Sequence, residues 1–130
     1  MIREGGCLCG AVRFKMTGAP INVRCCHCRT CQKAMGSPFY ARAQFHLSDV
    51  AITGPTAAWP TSERIERVFC SQCGTRLFSR RRDGSQTGIA LACFDDRNAF
   101  APTLHHWRSE SPSWLKLGDG LPEYQGQAPV

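Results

Sequence analysis

The segment Cys26-His27-Cys28-Arg29-Thr30-Cys31 puts three thiols into six residues. A tight turn in such a Cys-x-Cys-x-x-Cys run brings all three sulfurs to one side, and zinc binds sulfurs of this kind as thiolates in tetrahedral geometry. The run offers three ligands where a closed site needs four. Three protein ligands with one open position are what distinguish catalytic from structural zinc. The competing reading is closure by a fourth ligand, for which Cys93 or His105 of the pair His105-His106 are the candidates. Cys25 and His27 are disfavoured, because the neighbours of a ligand tend to point away from its metal, and strand alternation puts Cys25 opposite Cys26.

Four further thiols come as two pairs, Cys7-x-Cys9 and Cys70-x-x-Cys73. A glycine follows each pair, Gly10 and Gly74, and lets backbone N–H groups turn toward the sulfurs. A closed site made from all four would be structural, with no room for a substrate, and would staple the N-terminal segment to the middle of the chain. Joining Cys28-x-x-Cys31 to Cys70-x-x-Cys73 as a ribbon is an alternative that spacing does not exclude. The first partition is the more economical, since it leaves Cys26, Cys28 and Cys31 as one set. Cys93 lies in the apolar run 89–94 and reads equally well as a small buried hydrophobe. Asp95 and Asp96, just after that run, are general-base candidates or a plain turn.

Composition bounds these readings. At 130 residues, with 42% hydrophobic content, the chain is expected to form one domain over residues 1–130 with a modest core. Nine cysteines without an apolar leader in residues 1–6 point to metal or redox chemistry and not to a disulfide framework, with a cytoplasmic location as the default. No apolar run approaches the roughly 18 residues of a membrane span. The formal charge is +6, and ionising seven thiols onto two Zn²⁺ lowers it to about +3. A charge of that size suits an acidic small molecule as well as nucleic acid. The basic triplet 80–82 precedes Asp83-Gly84 and reads as a solvated turn. Aromatics are not interleaved with the basic residues as single-strand binders require, so nucleic acid ranks behind a small molecule.

The elements that must position the thiols are short. Alternation puts Val12, Phe14 and Met16 on one strand face, and Ile21, Val23 and Cys25 on another leading into the central motif. About two helical turns fit residues 29–35 before Gly36 and Pro38. Residues 39–45 alternate Phe39, Ala41, Ala43 and Phe45 against Tyr40, Arg42 and Gln44; 50–53 is a short strand, and 56–63 is polar and irregular apart from Trp59. Residues 64–69 and 75–79 form a hairpin around Cys70-x-x-Cys73, 87–94 is a buried central strand, and 104–107 a last strand. The fold class that follows is mainly β: a small zinc-stapled single domain of short antiparallel strands and hairpins, with one short helix after the central cysteine motif.

Five motifs in order, Gly6-Cys7-x-Cys9-Gly10, Cys26-His27-Cys28-x-x-Cys31-x-Lys33, Phe69-Cys70-x-x-Cys73-Gly74-Thr75, His105-x-Trp107 and Asp119-Gly120-Leu121-Pro122, resemble the glutathione-dependent formaldehyde-activating enzyme family, which includes the centromere protein V group. The resemblance runs from about Gly5 to Tyr124. It implies two zinc ions per chain: a structural one on Cys7, Cys9, Cys70 and Cys73, and a second, catalytic one on Cys26, Cys28 and Cys31. It also implies a carbon–sulfur lyase activity, the joining of glutathione and formaldehyde as S-hydroxymethylglutathione. Zinc on three thiolates is a weak Lewis acid, suited to an easy reaction of this kind. Arg24, Arg29, Lys33 and Arg42 are near the motif in sequence and are candidates for the carboxylates of such a thiol. Two departures stand out: Cys25 directly before the motif, and Cys93 where similar sequences carry a small hydroxyl residue. The rival expectation is a non-catalytic zinc-binding module for a protein or nucleic-acid partner.

Overall fold

A computed structural model describes residues 1–129. Ten strands and one helix follow in the order β1 (Ile2–Gly6), β2 (Arg13–Thr17), β3 (Asn22–Cys26), α1 (Arg29–Met35), β4 (Tyr40–His46), β5 (Val50–Thr53), β6 (Thr56–Pro60), β7 (Ile65–Cys70), β8 (Arg76–Arg81), β9 (Gln86–Ala90) and β10 (His105–His106). They make a three-stranded sheet, β1-β2-β5, and a seven-stranded sheet, β10-β3-β4-β9-β8-β7-β6. All pairings are antiparallel except the two-residue parallel contact of β10 with β3. The mainly β class with a single short helix agrees with the sequence reading. No described helix is long and apolar enough to cross a membrane.

The core fills the space between the sheets. Val12, Phe14 and Met16, the alternating set of the first hairpin, are buried against Val23, Ala43, Phe45, Phe78 and Ile89. Edge-to-face contacts link Phe14 to Phe78 and Phe94, and Phe100 to Phe45 and Phe94, an arrangement suited to ring quadrupoles. The chain returns from the second sheet to the first where Gly5 bridges Phe94; a Cβ on Gly5 would come within 2.1 Å of the Cys93 carbonyl oxygen, so only glycine permits this approach.

Several local expectations are corrected. Residues 2–6 form β1, a strand their sequence pattern does not suggest, because pairing with β2 satisfies a stretch with no apolar pattern of its own. The polar segment from Thr56 becomes edge strand β6, paired with β7 over Thr56–Pro60; Pro60 lies at its end, where an edge strand tolerates it. The apolar run 87–94 is β9 followed by a 3₁₀ turn, Leu91–Cys93, and not one long strand. Ile21 is 41% exposed, whereas Tyr40, on the face of β4 read as polar, is 2% exposed. Both faces of the large sheet are therefore covered at this point, and period-two alternation reports a core only when one face is wet.

Candidate metal centres and an arginine-lined cleft

The seven thiols of the three cysteine motifs gather into two groups. In the first, Cys7, Cys9, Cys70 and Cys73 have their sulfurs within 4.8 Å of one another. The Sγ–Sγ distances are 3.6 Å from Cys7 to Cys9 and 3.8 Å from Cys9 to Cys70. Bonds of about 2.3 Å in a tetrahedron put sulfurs about 3.8 Å apart, so the spacing fits one zinc ion and is far too long for a disulfide. Backbone N–H groups donate to these sulfurs: Val12 to Cys7 at 3.2 Å, and Gln72 and Cys73 to Cys70, each at 3.4 Å. The Thr75 hydroxyl lies 3.1 Å from Cys73 Sγ, and its hydrogen bonding with the adjoining backbone lowers that thiol to about 5. The same hydroxyl accepts from Leu8 N–H, tying the two halves together. This donor set stabilises thiolates, as a closed zinc knuckle requires.

In the second group Cys26, Cys28 and Cys31 lie within 4.8 Å of one another. Cys26 ends β3, Cys28 caps α1 and Cys31 is in its first turn. Cys28 Sγ accepts from Cys31 N–H at 3.3 Å, so the motif supplies its own helix cap, and Gly36 ends the helix with φ +61°. Hydrogen bonds with Cys26 and Cys28, and then the charge of Arg67, lower the Cys31 thiol well below its ordinary range, while the same sharing raises Cys26. Arg67 donates to Cys31 Sγ at 3.4 Å, and its guanidinium lies 5.5 Å from the centre of the Tyr40 ring.

No fourth protein ligand joins this group among the described residues. Cys25 is buried on the opposite side of β3, where burial pushes its thiol up to about 12. Cys93 packs beside the group, but its Sγ is directed to the Arg76 carbonyl oxygen, and burial raises it to about 11. His105 and His27 are committed to each other. His105 Nε2 donates to Asp119 Oδ2 at 2.7 Å, which leaves His105 Nδ1 to accept from His27 Nε2 at 2.9 Å and His27 Nδ1 to accept from the Ser111 hydroxyl at 3.0 Å. Burial holds His27 down to about 4, so the ring is neutral at physiological pH. The chain Ser111–His27–His105–Asp119 pins the residue between Cys26 and Cys28. Nothing in the sequence reading anticipated it, although His105 and Asp119 stood in the quoted motifs.

Above the three thiols the outer face of the large sheet opens into a cleft of about 310 Å³. Arg24 and Cys26 reach it from β3, Tyr40 and Arg42 from β4, Arg67 from β7 and Arg81 from β8. His106 and Trp107 close one side, with Trp107 Nε1 donating to Gln127 Oε1 at 3.1 Å. Trp107 is the one non-glycine described residue with positive φ (59°), a costly backbone state held beside the thiols. Of the four basic residues expected near the motif, Arg24 and Arg42 line the cleft; Arg29 bonds Gln32 and, through its N–H, Glu110, and Lys33 is directed elsewhere beside Trp59. The triplet 80–82 is not one solvated turn: Arg80 pairs with Glu66, Arg81 faces the cleft and Arg82 donates to the Glu63 carbonyl. Asp95 and Asp96 are ion-paired with Arg13 and Arg3 and lie away from this cleft, which removes them as general bases for it.

The sequence profile of the glutathione-dependent formaldehyde-activating enzyme family matches residues 2–110. The chain belongs to that family. A Schizosaccharomyces pombe protein named an uncharacterized lyase is 35% identical over 81 residues, spanning 62% of this chain and 59% of that protein. The chain therefore matches less than two thirds of that relative. A Halomonas elongata protein provisionally named a glutathione-dependent formaldehyde-activating enzyme is 28% identical over 128 residues, covering 90% of this chain and 82% of the relative. A crystal structure of a Rhodobacter sphaeroides protein superposes with TM-score 0.60 at 22% identity, over 76% of this chain and 97% of that one, and supports the fold alone.

Proposed function

We propose that this protein is a zinc-dependent carbon–sulfur lyase-type enzyme that joins a thiol to an aldehyde, with glutathione and formaldehyde as the pair its family suggests. In this reading Cys7, Cys9, Cys70 and Cys73 hold a structural zinc, and Cys26, Cys28 and Cys31 hold a second one at the floor of the cleft. The observation that carries the reading is a three-thiol cluster of which Cys26 and Cys31 line an arginine-rich cleft, with Cys93 and His105 engaged elsewhere and Cys25 buried on the other side of β3. Zinc bound there would supply a Lewis acid and a counter-charge for a thiolate.

The chain's own groups do the rest. Arg67 holds negative charge on Cys31, and the arginines of β3, β4 and β8 orient the acidic groups of the thiol substrate. Tyr40 and Trp107 shield the base of the cleft from water. The substrate sulfur attacks the aldehyde carbon, a carbon–sulfur bond forms, the carbonyl π pair moves to oxygen, and that oxygen takes the proton lost from the thiol. The reverse step breaks the same bond. The binding-module alternative is the weaker reading, because the basic triplet that favoured it is not one patch: Arg80 pairs with Glu66, Arg81 faces the cleft and Arg82 donates to the Glu63 carbonyl.

The test is exchange NMR of an equilibrated glutathione–formaldehyde mixture with the zinc-loaded protein, since the uncatalysed adduct forms anyway and only its exchange rate is informative. Faster exchange that disappears in Cys28→Ser is the expected result. Equal acceleration by Cys28→Ser would remove the three-thiol site from the reaction.

A further inference from the structure

The cleft carries more positive charge than the thiol chemistry uses. Arg24 and Arg42 stand directly opposite each other across β3 and β4, with Arg24 only 6% exposed. Like charges facing each other on neighbouring strands are unfavourable, and burial makes them more so. Arg42 lies across β9 where Gly88 has no side chain; a Cβ there would meet Arg42 Cδ at 2.7 Å. Arg67 and Arg81 complete the wall. No Asp or Glu lines the cleft, and none of the four arginines is in an ion pair among the described residues. Outside it, Arg3, Arg13, Arg80 and Arg108 each have a carboxylate.

Among the described residues, three of the lining also hold buried polar atoms without a partner: Arg24 Nε, Arg67 Nη1 and His106 Nε2. His106 Nδ1 accepts from Ala128 N–H at 3.4 Å, so its proton sits on Nε2, and all three orphans are donors. Only Arg67 is spent on a sulfur, and Arg24 and Arg42 donate to the neutral oxygens of Pro129 and Asn22.

We propose that the cleft selects a thiol bearing two acidic groups and no ammonium group, an inference that rests on the thiol–aldehyde reading above. Two acids match the charge of the facing Arg24–Arg42 pair, and a guanidinium offers a carboxylate two parallel hydrogen bonds. Coulomb attraction acts through space, so the anion also offsets the charge of guanidinium groups it does not touch. An ammonium in the same volume meets four guanidinium groups and, among the described residues, no carboxylate. Glutathione has two carboxylates but also an ammonium; mercaptosuccinate has two carboxylates and a thiol alone.

Calorimetric titration of the zinc-loaded full chain with mercaptosuccinate, glutathione and cysteamine, and displacement by thiol-free succinate, tests this. Mercaptosuccinate is expected to bind about tenfold tighter than glutathione, cysteamine weakest, and succinate to compete. Arg42→Gln should weaken mercaptosuccinate about tenfold with an unchanged circular dichroism spectrum, and Gly88→Ala, which displaces the Arg42 side chain, should act in the same direction. If Arg42→Gln does not fold, Arg81→Gln on the exposed rim gives the same reading. Glutathione binding as tightly as mercaptosuccinate, or no competition by succinate, overturns the proposal. Exchange rates on the same samples are judged separately: no acceleration with any thiol removes the thiol–aldehyde reading, while the order of binding still decides the cleft.

Discussion

The four-thiol cluster draws Cys7 and Cys9 from the turn after β1, Cys70 from the end of β7 and Cys73 from the β7–β8 turn, with Cys9 and Cys70 separated by 61 positions. The three-thiol cluster comes from six consecutive residues at one strand-to-helix corner. Closing a long loop removes more chain entropy than closing a short one, so a metal held by the first cluster would contribute to folding and one held by the second would contribute little. Their surroundings differ in the same sense. Around the first, backbone N–H groups and a threonine hydroxyl bond the sulfurs of Cys7, Cys70 and Cys73. Around the second, donors outnumber acceptors, and a cleft opens above.

The sharpest way to break this contrast is to remove one thiol from each side. Cys70 is 1% exposed at the end of β7 and touches both halves of the staple. Cys70→Ser should cost more than about 4 kcal/mol, the range of a lost structural metal, read by thermal unfolding together with zinc content. A small change in stability would show that the hydrophobic core holds the sheets together without the first cluster.

Cys28→Ser is the matching change at the second cluster. Serine caps a helix well, so the Cys28–Cys31 cap bond is replaced and α1 survives. The expected outcome is a stability within about 1 kcal/mol of the parent with loss of one zinc and of accelerated exchange. Collapse of the fold in this variant as well would make the two clusters equivalent and end the comparison.

How much of this was legible beforehand follows the same division. Cysteine spacing and flanking glycines are local signals: the helix Arg29–Met35 and its glycine stop could be read from them directly, whereas the two groupings were the more economical of two partitions that spacing allowed. The cleft could not, because it depends on which strands become neighbours. Arg67 and Arg81 come from β7 and β8, and only the strand order brings them over the three thiols. Tyr40 and Arg42 looked like a solvent face for the same reason: alternation identifies two sides of β4 without saying that both are covered. The histidine chain joins β10 and the segment around Asp119 to the loop between Cys26 and Cys28, contacts made across 78 and 14 positions that no periodicity encodes.

Acid should expose the same asymmetry. Burial first, then nearby arginines, holds His106 at about 4, and burial holds His27 at about 4, both at the second cluster. The unfolded rings titrate near 6.5, so between pH 6.5 and 4 the unfolded state binds protons the folded state refuses. The stability these neutral rings permit is complete above pH 6.5 and is lost as pH falls toward 4, by at most about 1.4 kcal/mol per pH unit for each ring. Thermal unfolding between pH 7.5 and 4.5, compared with His106→Gln, isolates one ring: the variant should show a shallower slope. An unchanged slope would assign the acid sensitivity to the thiolates instead.

The smallest effect is expected at Asp119, half-exposed at the end of the histidine chain. Asparagine keeps an acceptor for His105 Nε2 and removes only the charge, so Asp119→Asn should cost about 1 kcal/mol or less. What makes the variant informative is where the cost falls. The chain fixes His27, and His27 separates Cys26 from Cys28, so a loosened ring loosens the spacing of those two sulfurs and leaves the staple untouched. Competition for zinc with a chelator should therefore show a few-fold weaker second zinc and an unaltered first one. Equal weakening of both would mean that the two clusters share more of the fold than their separate positions suggest.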